Sequence, residues 1–248
     1  MMRLITLFCL LLFPVFITGT TIHDQLSKID QLYDTRDQQN HIKESLTLID
    51  SSKEFIATKR HDYELLWRYA RSASRTPDYL VANKKEKLAI LARGVDLGKQ
   101  AIELYPKKIN GHYWYAIALG RHAELQGILK SLNSIVPIKE TMKTILELDP
   151  QYHRAHFVLS RLYRKAPKFV SIGDPKKALE HINIALSMDA NESMYLLEKA
   201  RVLVKLKKRS KARSLLRQLI EAPYNPSYFK DQVDRDKADA KKLLDKIS

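Results

Sequence analysis

Apolar residues recur along most of this chain at helical spacing, and alternating, strand-like runs are scarce. Ile22, Leu26, Ile29 and Tyr33 mark one face of a helix, and Ile42, Leu46 and Ile49 mark its partner. Three later segments close alike: AIELYP at 101–106, ILELDP at 145–150 and ALSMDA at 185–190. After each, a new helical pattern restarts within about eight residues. A helix-turn-helix unit repeated in this way predicts a tetratricopeptide-type array with a period of about 34 residues.

The unit that follows Pro150 is the clearest. His156, Leu159, Ser160 and Tyr163 fall on the packing positions of its first helix, and small Ser160 lets the neighbouring helix approach. Ala178, Ile182 and Ala185 form the inner face of the second helix, with Asp174 as N-cap and Pro175 as first helical residue. The next unit continues in register through Leu196, Ala200, Leu203, Ala212 and Leu216. Two earlier units open at Trp67 and Trp114 and carry extra residues, expected as loops near 76–85 and 129–137, with another near Phe169. The fold class is therefore an all-α superhelix of helix-turn-helix repeats ending in a C-terminal capping helix. Residues 20–248 are expected to form one domain, with repeats near 22–58, 62–106, 109–150, 153–190 and 193–224 and a charged cap over 227–247.

The first residues break the pattern. Arg3 precedes an apolar run from Leu4 to Ile17, followed by Thr18-Gly19-Thr20-Thr21. That run is short for a membrane span and suits a secretory leader over 1–19, so the expectation is an exported, periplasmic protein. A leader retained as an anchor is the rival, and membrane contact is expected only in that case. Bulky Phe8 before Cys9 excludes a lipobox.

Composition narrows the chemistry. Of the 248 residues, 43 are Lys or Arg and 28 are Asp or Glu, a formal charge of +15. Such charge suits an acidic peptide, anionic lipid headgroups or a polyanion, while export argues against nucleic acid. Only 7 glycines and one cysteine are present, and no G-x-S-x-G, P-loop or G-x-G-x-x-G motif occurs. No catalytic residue, cofactor or metal is expected, and the chain does not read as an enzyme. His153 and His156 stand three apart on a helix, yet no third ligand has a recognisable spacing and His156 falls on a packing position.

Several stretches carry a family likeness: Trp114-Tyr115-Ala116, Gly127-Ile128-Leu129-Lys130, Val136 to Glu140, Leu148-Asp149-Pro150, Leu162 to Pro167 and Ser171 to Leu179. They resemble the T-component (TatT) proteins associated with bacterial tripartite (TRAP) transporters. A weaker likeness, around Trp114 and Pro150, is to the eukaryotic regulators of microtubule dynamics. The first resemblance implies an accessory component of a solute transporter, in some members a homotrimer with an apolar ligand cleft. Its partners would be a periplasmic solute-binding protein or an apolar small molecule.

The other reading, drawn from the residues, is a periplasmic adaptor. Helical repeats bind with the concave face lined by the first helix of each pair. Helical offsets place Arg68, Arg75, Tyr115, His122, Arg154, Phe157, Arg161, Arg164, Arg201 and Lys205 there. Guanidinium groups among aromatic side chains would hold an acidic peptide segment. A solvated basic face is the competing interpretation. The densest basic run, Lys205 to Arg217, spans the turn of the last repeat, where Lys207 and Lys208 would touch anionic lipid or a partner's acidic patch; a solvated turn is the competing interpretation.

Overall fold

The computed structural model describes residues 21–38, 40–52, 59–167 and 171–248, with the side chains of 59–61 left out. Among them are eleven helices and no strand: α1 (Ile22–Asp34), α2 (His41–Ser51), α3 (Lys59–Tyr79), α4 (Lys84–Leu104), α5 (Ile109–Gln126), α6 (Ile128–Leu148), α7 (His153–Lys165), α8 (Pro175–Met188), α9 (Ser193–Lys205), α10 (Arg209–Glu221) and α11 (Lys230–Ile247). The leader proposed for 1–19 and the insertion near Phe169 lie outside the described residues.

Consecutive helices pack as antiparallel neighbours, first helices also touch across repeats, as in α1 with α3, α3 with α5 and α7 with α9, and α9 touches the capping helix α11. This two-layer arrangement is the all-α superhelix that the periodicity predicts. Ala178, Ile182 and Ala185 are fully buried, as are Ala200, Ala212 and Leu216 in the following unit. Ser160 is buried too, and its hydroxyl donates to the Ala178 carbonyl at 2.8 Å, which satisfies it where the two helices touch. Asp174 caps α8 by accepting from the Lys176 and Lys177 amides, with Pro175 first in the helix.

Two expectations need correction. The extra residues at 129–137 are not a loop. They form the first turns of α6, which starts directly after Gly127; this glycine ends α5 with φ 115°, a conformation that a side chain would strain. The insertion near 76–85 is likewise mostly helical, since α3 runs to Tyr79 and α4 begins at Lys84. Insertions here lengthen helices: α3, α4 and α6 have 21 residues each, against 13 for α7, α9 and α10.

The capping helix does more than cover an end. Its buried side chains Ala240 and Ile247 close the last core, and Val233 is buried nearer its start. The residues at its start reach across to the first repeat. The rings of Phe229 and Tyr33 meet edge to face at 6.3 Å, and Asp231 accepts from Arg36 at 3.0 Å and from the Tyr79 hydroxyl.

Candidate functional site

Because the C-terminal segment bridges to α1, the concave interior is divided into two cavities. The first, of about 460 Å³, lies between α1, α3, α5, α7 and residues 227–233. Aromatic rings of Tyr33, Trp67, Tyr113, Trp114, Tyr228 and Phe229 form much of its wall. Tyr33 is its best-defined feature. Arg75 Nε donates to the Tyr33 hydroxyl at 3.1 Å, and the guanidinium carbons of Arg71 and Arg36 lie 4.1 and 5.1 Å from its ring centre. Burial alone would raise this phenol, but Arg75, Arg36 and Arg71 outweigh it and hold the group below its usual range. Arg36 itself has no exposed side-chain surface and sits 3.9 Å from the Phe229 ring centre.

Arg75 and Arg154 line this cavity without a carboxylate ion pair among the described residues; tyrosines are their neighbours. His153 also lines it, with Nδ1 2.8 Å from the Tyr195 hydroxyl. His156 turns elsewhere, its Nδ1 2.9 Å from that of His181 in α8. The two histidines therefore do not converge on a common point.

The second cavity, of about 690 Å³, holds Phe157, Arg161, Arg164 and Arg201. Its lining is basic, but most of these cations are already paired within the chain. Arg164 makes a two-point pair with Glu198 at 2.6 and 2.8 Å, and Arg201 reaches Asp239 at 2.8 Å. Glu124 takes Lys165 at 2.5 Å and Arg161 at 3.7 Å, and Arg121 pairs with Asp78. Burial pushes the Glu124 carboxyl up, but Lys165 and Arg161 overcome it and hold the group ionised. Arg68 is spent in the same way, on Asp30 at 2.8 Å and Glu64 at 2.6 Å.

The remaining predicted residues scatter. Tyr115 has its backbone pressed against Gly98 of α4, where an added Cβ would come within 2.9 Å of the Tyr115 Cα. His122 is half-buried on α5 outside both cavities, and Lys205 is exposed at the end of α9. Sequence reasoning missed the carboxylates. A signal for them exists: Arg164 and Glu198 are 34 apart, Arg201 and Asp239 are 38 apart, Arg68 and Asp30 are 38 apart. Each of these three cations, on a first helix, finds an acid about one repeat away.

With this geometry defined, likeness to known proteins becomes decisive. Residues 25–248 match the family described as regulator of microtubule dynamics protein 1-3. The chain belongs to that family. Rat regulator of microtubule dynamics protein 3 is 29% identical over 136 residues, which is 55% of this chain and 28% of the rat protein. Bovine regulator of microtubule dynamics protein 1 is 27% identical over 130 residues, 52% of this chain and 38% of the bovine one. The alignments thus span well under half of these relatives. Among solved structures, a thermophilic TPR protein from Thermus thermophilus aligns with a TM-score of 0.66 at 17% identity, over 90% of this chain and 100% of that one. That likeness establishes the TPR-type fold.

Family membership corrects the functional expectations. The match is to this family and not to the T-component proteins, and the transporter accessory role falls accordingly. So do the periplasmic location, the secretory leader and the solute-binding-protein partner, since the matching relatives are mammalian regulators of microtubule dynamics. The periplasmic adaptor with an acidic peptide in a basic groove falls on the same match. The structure supplies a physical reason as well: the groove's cations are largely neutralised by the chain's own carboxylates, and α11 occupies part of the space.

Proposed function

We propose that this protein is a non-catalytic binding module that regulates microtubule dynamics by engaging a protein partner. The family match, which runs from α1 through α11, carries this reading. The fold supports it, because stacked helical repeats are an architecture for binding other proteins. Closure by α11 restricts access to the concave face, so the outer surfaces are the larger area open to a macromolecule. In this reading residues 20–248 act as one unit, tied end to end by Arg36 and Asp231.

The test is to add the full-length chain to dynamic microtubules and record growth rate and catastrophe frequency by light microscopy. The proposal expects a dose-dependent change in at least one of them. Unchanged dynamics up to a large molar excess, with and without cytosolic extract as a source of partners, would overturn it.

A further inference from the structure

Most groove cations are paired with carboxylates, Arg75 and Arg154 excepted, while a denser and exposed set of positive charges lies elsewhere. From Lys199 to Ile220 the sequence has no acid, and its basic residues cluster where α9 turns into α10. Lys205, Lys207, Lys208, Arg209, Lys211 and Arg217 are exposed there, and none makes an ion pair among the described residues. Arg213 donates to the Ile247 carbonyl at 3.1 Å, which brings the last turn of α11, with Lys246 and Asp245, to the same end of the molecule.

These positions are poorly chosen for folding. Lys207 adopts φ 60°, the left-handed conformation in which glycine or asparagine costs least. Lys208 occupies the N-cap of α10 and makes no side-chain capping bond, where Ser, Asp or Asn is preferred. Arg209 and Lys211 then place positive charge at the positive end of the helix dipole, and the first turn has no acid. Thr21, Asn83, Asp174 and Glu192 cap their helices by side chain. Several other helices also start uncapped, but among the described residues only at α10 does an uncapped start follow a left-handed lysine and open on two basic residues. Where a sequence breaks several local preferences in one place, function is the expected reason.

The surroundings select the partner class. No aromatic residue occurs from Lys199 to Ile220, so there is no platform for stacking bases. No large exposed apolar side chain occurs there either, so nothing would insert into a bilayer. We propose that the α9–α10 turn is a docking surface for an acidic surface or tail of a protein. This deepens the reading of the chain as a module with a protein partner in the microtubule system, by naming where that partner sits and its charge.

The experiment compares the full-length chain with a turn variant, Lys207→Gly, Lys208→Asp and Arg209→Glu. Because each change improves the local fit of the backbone or cap, this variant is expected to melt at or above the wild-type temperature. A control carries Lys84→Glu, Lys85→Glu and Lys130→Glu, a comparable loss of charge at exposed sites elsewhere. Binding is measured to poly-glutamate peptide, to stabilised microtubules and to phosphatidylserine vesicles. The turn variant should bind poly-glutamate about tenfold more weakly or worse, with the control within about twofold of wild type.

Equal loss in both variants would show that net charge, and not this surface, is responsible. Unchanged binding in the turn variant would overturn the proposal. So would wild-type binding to vesicles through the turn without binding to poly-glutamate. Turn-dependent binding to poly-glutamate by a chain that leaves microtubules untouched would uphold the surface and remove the microtubule reading.

Discussion

His181 stacks on Tyr163 with ring centres 5.5 Å apart, and its Nδ1 lies 2.9 Å from that of His156. One hydrogen joins the two rings, so at least one must be neutral. Burial first, then His156 and Lys177, disfavour charge on His181 and push it down to about 4. An unfolded histidine titrates near 6.5. Between those values the unfolded chain binds the extra proton, so this pair's stabilising effect is complete above about pH 6.5 and is lost as pH falls through about 4. The melting temperature of wild type should therefore fall more between pH 7 and pH 4 than that of His181→Leu. Parallel curves would contradict the assignment. Helical spacing placed His156 on a packing position, which it occupies; the identity of its partner, 25 residues away on α8, depends on how the two helices pack.

At the level of elements, helix contacts are set by small residues. Gly98 of α4 lies against the backbone of Tyr115 in α5, and Gly94 lies against Ala73, where an added Cβ would sit 2.7 Å from the Ala73 Cβ. Gly98→Val should therefore separate α4 from α5 and destabilise the protein by about 2 kcal/mol, despite a small gain in helix propensity. Chemical denaturation at equilibrium measures this, and a neutral result would show that the two helices have room to spare. Helix type and most packing faces were readable here because they repeat with the helical period, and the Asp174–Pro175 start was readable as a local cap. The long α6 was not, because Gly127 and Pro137 are also loop signals. Only the neighbouring helices decide that Pro137 is tolerated inside a helix whose inner face, Ile135, Ile138 and Met142, is buried.

For the whole molecule, closure of the arc decides which surfaces a partner can reach. The cations expected to form an open basic groove were identified correctly as first-helix residues. Their neutralisation needed acids one repeat away, and closure needed residues at opposite ends of the chain. No local pattern encodes a contact such as Arg36 with Asp231, 195 positions apart. Most interior cations have carboxylate partners and Arg75 and Arg154 sit among tyrosines, so exposed charge without a carboxylate partner is densest at the α9–α10 turn.

A double-mutant cycle on Arg36→Ala and Asp231→Ala tests closure most directly. Asp231→Ala should destabilise the protein by about 3 kcal/mol, since it leaves fully buried Arg36 without its counter-charge, and Arg36→Ala by about 2 kcal/mol, since Asp231 keeps Arg235 at 3.2 Å. If α11 spans the concave face, the coupling energy between the two should be about 2 kcal/mol. Additive effects, with no coupling, would mean that the two ends do not meet and that the concave face is open.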